Sequence, residues 1–151
     1  MVPRLFLACL CAATWTLTAY ATEDATLQRY DQVEIARTKT SIYVGSVTMT
    51  MTPFLRKNSV YRANYSAKVF PYFFMNEHGW ISIELGDESL RQLEKGETIQ
   101  FKGQGMSSDG EPRHIEGRAV PADASTGKIK VRVFVSKRIQ LIFNTTYRLG
   151  P

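Results

Sequence analysis

The feature that most constrains this chain is a strict two-residue alternation of apolar and polar side chains. In residues 59–69 the apolar positions are Tyr61, Ala63, Tyr65, Ala67 and Val69. In residues 128–135 the polar positions include Lys128, Lys130 and Arg132. Successive side chains of a β-strand point to opposite faces, so this period predicts strands with one buried face. Such half-buried strands are typical of an antiparallel sheet.

Weaker alternation and turn signals elsewhere predict further strands with short connections. Asp109-Gly110 is a hairpin signal, because both residue types tolerate the positive φ of a tight turn. In residues 40–52 the apolar phase slips at Gly45-Ser46, which predicts a β-bulge or a barrel bend within one strand. The fold class is therefore mainly β, an antiparallel barrel-like or sandwich domain of about seven strands.

One short α-helix is predicted over about residues 87–95. Asp87 can cap its first turn, and Gly96 supplies a left-handed stop. Leu90 and Leu93 form a narrow apolar stripe. Two turns are too short to be stable alone, so we expect the helix to pack on the sheet.

The N-terminus has the pattern of an export signal. Arg4 precedes an apolar stretch over residues 5–13, and Ala19-Tyr20-Ala21 matches a small-residue cleavage site. We therefore predict a cleaved signal peptide over residues 1–21, a leading segment or linker over 22–39, and a single β-rich domain over 40–149. The predicted location is exported, either periplasmic or secreted.

Cleavage at this site would remove both cysteines, Cys9 and Cys11. The exported domain would then depend on its apolar core rather than on disulfides. It would also contain no cysteine nucleophile and no thiolate metal site.

The basic residues gather near the C-terminus. The chain has a formal net charge of +5, and no acid follows Asp123. Lys128, Lys130 and Arg132 share one strand face at a spacing of about 6.6 Å, which suits an anionic polymer or lipid headgroups. Export argues against a nucleic acid partner. The alternative is a solvated face paired with acids such as Glu116.

An aromatic run over residues 70–74 is the second candidate binding feature. Pro71 interrupts strand pairing, and alternation cannot bury all the rings on one face. The run predicts the mouth of an apolar cavity or a partner patch. A small apolar ligand inside the barrel would contact Tyr61, Tyr65, Phe70, Tyr72, Phe73 and Phe74. The alternative is a core segment or a plug at the barrel end.

The sequence contains no recognisable catalytic constellation. It has no nucleophile elbow, phosphate-binding loop or H-E-x-x-H pattern. His114 and Glu116 share a strand face, and His78 follows Glu77 in a predicted turn, but two histidines make a weak metal signal. We predict no cofactor, no metal and no catalytic residue.

The function predicted from these features is a non-catalytic binding or interaction module of the cell envelope. It would hold a small apolar ligand or contact an anionic surface. One alternative is a small hydrolytic or metal-assisted enzyme that uses His114 and Glu116. A second is a structural envelope protein. A third is an outer-membrane barrel, although about seven strands is not the even number usual for such barrels.

Overall fold

The computed structural model describes residues 30–151, which form one antiparallel sheet of ten strands. The strands are β1 (Gln32–Ile35), β2 (Thr38–Ile42), β3 (Gly45–Met51), β4 (Phe54–Lys57), β5 (Val60–Phe70), β6 (Glu77–Glu84), β7 (Ile99–Ser107), β8 (Pro112–Pro121), β9 (Thr126–Phe134) and β10 (Gln140–Gly150). One helix, α1 (Asp87–Glu94), lies between β6 and β7, and a 3-10 turn (Phe73–Met75) lies between β5 and β6.

The sheet closes into a barrel through β5. Along one edge β5 pairs with β3 and β4, and along the other it pairs with β6. Eight strands form the ring, in the order β1, β4, β5, β6, β7, β8, β9, β10 and back to β1. The β2–β3 hairpin lies beside this ring, with β3 paired to β5 from Tyr65 to Phe70 and β2 paired to β3. The barrel-like, mainly β prediction is confirmed, and the sandwich alternative is wrong.

The β2–β3 hairpin replaces the single bulged strand predicted for residues 40–52. The phase slip at Gly45 marks the end of a turn at Tyr43 and Val44. Gly45 has φ +128°, and a Cβ there would lie 1.9 Å from the carbonyl oxygen of Phe70. Glycine is required at this position because the turn lies directly against the end of β5.

The barrel also begins earlier than the predicted domain start at residue 40. β1 pairs with β10 from Gln32 to Ile35, so part of the predicted leading segment is barrel wall. The hydroxyl of the buried Thr38 donates to the carbonyl oxygen of Asn144 at 3.1 Å. The predicted signal peptide and both cysteines lie outside the described residues.

The apolar side chains point into the barrel and fill it. Phe143, Ile115, Tyr61 and Leu90 are almost completely buried. An eight-stranded barrel has an interior just wide enough for side chains to fill. The alternation that identified β5 and β9 thus separates residues that point into the core from residues that point outward to solvent.

Helix α1 forms where the sequence predicted it, and it covers one end of the barrel. Leu90 and Leu93 are buried against the barrel core, and Gly96 has the expected positive φ of 83°. The cap prediction was wrong, since Gly86 is the N-cap residue. The carboxylate of Asp87 instead accepts a hydrogen bond from Arg56 on β4.

The two ends of the barrel differ. The end that carries α1, together with the β4–β5 and β8–β9 turns, is called the helix end. The opposite end carries the β2–β3, β7–β8 and β9–β10 turns and the connection over residues 71–76. We call it the loop end.

Replacing Gly117 with alanine should destabilise the barrel. Phe101 lies opposite Gly117 in the β7–β8 register, and a Cβ at Gly117 would lie 2.0 Å from the ring carbon Cζ. Because Phe101 is buried, its ring would have to move, at a cost of about 1–3 kcal/mol. Urea unfolding measures the change, and Gly150→Ala is the control because nothing lies within 4 Å of its would-be Cβ. Equal stability of the two variants would contradict the close packing of Phe101 on Gly117.

Candidate functional site

Two of the six predicted ligand contacts, Tyr61 and Tyr65, lie inside the barrel. The Tyr61 hydroxyl donates to the carbonyl oxygen of Tyr30 at 2.5 Å, and its ring is 2% exposed. Burial raises the pKa of Tyr61 to about 12, although the nearby Arg56 opposes that shift. The Tyr65 hydroxyl donates to the carboxylate of Glu77. Both hydroxyls are therefore used within the fold.

Two small apolar cavities lie within the barrel. One has a volume of about 60 Å³ and is lined at the helix end by residues that include Tyr61, Phe101 and Leu93. The other has a volume of about 40 Å³ and lies against Met49, Ile115 and Phe143. Small-molecule sites usually measure about 300–1,000 Å³. Neither cavity has room for a ligand of that size, so a binding site is better sought on the outer surface.

A charged cluster closes the interior at the loop end. The Arg113 guanidinium donates to the Glu77 carboxylate at 2.6 Å and 3.2 Å and to the Glu111 carboxylate at 2.8 Å. The Arg113 side chain is only 8% exposed. Burial disfavours the charged form of Glu77, but the hydrogen bonds from Arg113 and Tyr65 outweigh it and lower the pKa of the carboxyl. The cluster is thus a fixed polar plug, and sequence alternation missed it because Arg113 occupies an inward position.

Replacing Glu77 with glutamine should lower stability in a pH-dependent way. Since folding lowers the Glu77 pKa, its ionised form stabilises the protein above the ordinary pKa of 4.5. That contribution disappears as the pH falls through the folded-state value. We expect Glu77→Gln to cost about 2 kcal/mol at neutral pH and progressively less in acid.

Urea unfolding at neutral and acidic pH tests this expectation. Glu84→Gln on the same strand is the control, because Glu84 is exposed. A stability difference that stays constant as the pH falls would show that the charge of Glu77 is not what stabilises the plug.

The other four predicted ligand contacts lie outside the barrel. Phe70, Tyr72, Phe73 and Phe74 are all exposed at the loop end, and Phe74 is 85% exposed. The structure therefore does not bring them together with Tyr61 and Tyr65 around one cavity. Period-2 alternation predicted that the run could not be buried on one face, but it could not show that nothing in the described chain covers these rings.

The three predicted basic residues point outward from β9. Lys128, Lys130 and Arg132 are all exposed. On β8, Arg118 lies opposite Lys130 of β9. On β7, Lys102 lies opposite Glu116 of β8. We call Lys102, Arg118, Lys128, Lys130 and Arg132 the basic wall. The sequence did not predict Lys102 and Arg118 as members, because they join the others only through the register of three strands.

Among residues 30–151 no ion pair involves any of the five cations of the basic wall. Glu116 lies within the wall, opposite both Lys102 and Arg132 in the register. Its carboxylate instead lies 3.3 Å from the imidazole Nε2 of His114. A second carboxylate, Glu84 on β6, lies opposite Lys102 at the edge of the wall. Neutralisation by acids across the sheet, the alternative raised from the sequence, is thus limited to two carboxylates beside five cations.

The His114–Glu116 pair is exposed on the barrel wall. Its side chains are half exposed, and the His114 ring stacks near Phe134 with centroids 5.4 Å apart. His78 lies opposite Ser66, in a different part of the register. Within the described range, no group of three or more His, Cys, Asp or Glu side chains could hold a metal ion. Also within that range, no helix is long and apolar enough to cross a membrane.

Comparison with protein-family models, with curated proteins and with solved structures finds no match for this chain. The surfaces just described are therefore the basis for assigning a function.

Proposed function

We propose that this protein is an exported, non-catalytic binding module of the cell envelope whose basic wall contacts an anionic polymer. The observation that carries the proposal is the composition of the wall. It has five exposed cations, with Glu116 among them and Glu84 opposite Lys102 at its edge, and no ion pair to any of those cations among residues 30–151. The export signal predicted over residues 1–21 supports an envelope or extracellular location, periplasmic or secreted.

The geometry of the wall suits a polymer with regularly spaced negative groups. Lys128, Lys130 and Arg132 follow one strand at intervals of about 6.6 Å, and Arg118 lies about 5 Å to the side of Lys130. These separations are within the Debye length of about 8 Å at physiological salt, so the positive potentials of neighbouring cations add together. A flexible chain can follow the curved wall, whereas a flat bilayer would contact fewer of its strands.

The small interior cavities explain why the wall, rather than the barrel lumen, carries the proposal. The two cavities inside the barrel have volumes of about 60 Å³ and about 40 Å³. Both volumes are far below the usual size of a ligand site. The apolar-ligand half of the sequence prediction therefore has no support from the interior volume, and the anionic-surface half has support from the exposed cations.

Reversing two charges of the wall should weaken binding to a polyanion. The probe is linear polyphosphate, and the variant is Lys128→Glu with Lys130→Glu. Each cation near an anionic surface contributes about 1 kcal/mol, and roughly 1.4 kcal/mol corresponds to tenfold in affinity. We expect at least about a tenfold rise in Kd for the double variant, measured by fluorescence anisotropy.

The control for that experiment changes net charge equally at another place. Lys57→Glu with Lys95→Glu alters two exposed lysines near the helix end and should leave most of the affinity intact. Binding of the native protein should weaken steeply between about 0.1 M and 1 M salt, where the Debye length falls from about 10 Å to 3 Å. Equal losses in both double variants, or affinity independent of salt, would contradict a specific basic wall. Stronger binding to phosphatidylglycerol vesicles through the same lysines would assign the wall to lipid instead.

A further inference from the structure

The loop end carries a concentration of exposed apolar side chains that the basic wall does not use. Phe73 is 63% exposed, Phe74 is 85% exposed and Tyr43 is fully exposed. We call this group the aromatic tip; its members are Tyr43, Val44, Phe70, Tyr72, Phe73, Phe74 and Met75. Exposed apolar side chains that lie close together mark membrane or partner contacts when they form a large patch.

The two connections that form the aromatic tip lie against each other. Ser46, which follows the β2–β3 turn, pairs with Phe70, and Gly45 lies against the Phe70 carbonyl and Pro71. Within the tip, Phe70 and Phe73 meet edge to face at 5.8 Å, and Tyr72 and Phe74 do so at 6.0 Å. The apolar side chains therefore project together from one place.

The backbone of the tip is held while its side chains face outward. The Met75 amide donates to the Tyr72 carbonyl oxygen at 2.9 Å, and the Val69 amide donates to the side-chain oxygen of Asn76 at 2.8 Å. None of the residues of the 3-10 turn, Phe73–Met75, is buried. The turn thus has a hydrogen-bonded backbone and outward-facing apolar side chains, and it is not packed into the core.

Exposed lysines lie just behind the aromatic tip. Thr48 pairs with Lys39 on one side and with Lys68 on the other, so the two lysines flank it in one row. Lys68 precedes Phe70 by two residues on the same outward face, about 7 Å further from the loop end. Apolar groups at a membrane interface sink about 5–10 Å, which would bring these ammonium groups level with the lipid phosphates. Long lysine side chains can reach that level while their stems lie along apolar surface.

The remaining charges at the loop end agree with an anionic partner. Lys137 and Arg138 lie on the β9–β10 turn at the same end. Glu77 and Glu111 are already held by Arg113, which leaves Asp109 as the one acid of the described loop-end turns that forms no ion pair. Aromatic side chains backed by cations are the composition found at the interface of anionic bilayers.

We propose that the aromatic tip inserts into the interfacial region of an anionic lipid bilayer, with Lys39 and Lys68 contacting the headgroup phosphates. This contact is separate from the basic wall, which begins at β7, and goes beyond the polymer binding proposed above. It anchors the barrel end-on, with the helix end directed away from the lipid.

The test measures flotation with vesicles of phosphatidylcholine and phosphatidylglycerol in equal parts. Phe73→Ser with Phe74→Ser should lower the partition coefficient at least about tenfold, because burial of each phenyl ring drives insertion. Leu55→Ser with Val120→Ser is the matched control, since both residues are exposed and apolar but lie outside the tip. All variants share residues 1–29, so differences between them report on the tip.

Insertion depth is tested separately with Phe74→Trp and vesicles that carry bromine on their acyl chains. The native chain contains Trp15 and Trp80, so quenching is compared with that of the native protein. We expect additional quenching for Phe74→Trp and none for Leu55→Trp. Lys39→Gln with Lys68→Gln should remove the preference for phosphatidylglycerol over phosphatidylcholine.

Three results would each overturn the proposal: undiminished flotation of the double serine variant, a Phe74→Trp variant that binds vesicles without additional quenching, or no flotation of the native protein. The last result would assign the tip to a protein partner. Polyphosphate binding should be unchanged in the serine variant, so failure here is distinguishable from failure of the basic wall.

Discussion

The pairing of β5 with strands on both of its edges is the constraint on which the rest of the structure depends. This eleven-residue strand joins β3 and β4 on one side and β6 on the other, and that closes the ring. Closure gives each of the eight ring strands a paired neighbour on both sides and places one set of alternating side chains in a shared interior. Apolar side chains fill that interior, and the Glu77–Arg113 plug and α1 cover its two ends. Both proposed binding surfaces therefore lie outside the barrel.

Most of the barrel wall could be predicted from the sequence because its strands alternate clearly. β5 and β9 were identified by period, and α1 by its leucine spacing and the glycine stop. The hairpin at Tyr43 and Val44 was missed, because a phase slip at glycine fits either a bulge or a turn. β1 was missed because it is short and mixed in polarity, and it is held by register with β10 rather than by its own pattern.

The candidate sites were less predictable, since they depend on neighbours across the sheet. Alternation placed Lys128, Lys130 and Arg132 on one face, but only the register adds Arg118 and Lys102. Sequence grouped Tyr61 and Tyr65 with the aromatic run, whereas the structure places those two rings inside the barrel and the run outside. No local pattern distinguishes a ring buried by a neighbouring strand from one that nothing covers.

The two proposed contacts lie on different parts of the barrel. The basic wall belongs to β7, β8 and β9, and the aromatic tip is formed by connections next to β3 and β5. A barrel anchored by its tip would keep the wall clear of the bilayer and open to a polymer. On this proposal the two ligands would bind together rather than in competition, and the protein would link an anionic polymer to a membrane surface.

The most direct measurement of this arrangement is flotation of fluorescent polyphosphate with phosphatidylglycerol vesicles in the presence and absence of the protein. Independent surfaces predict that the protein carries polyphosphate to the vesicles, which do not bind it alone. Release of the protein from the vesicles as polyphosphate is added would show that both ligands share one surface, and would contradict the proposed separation.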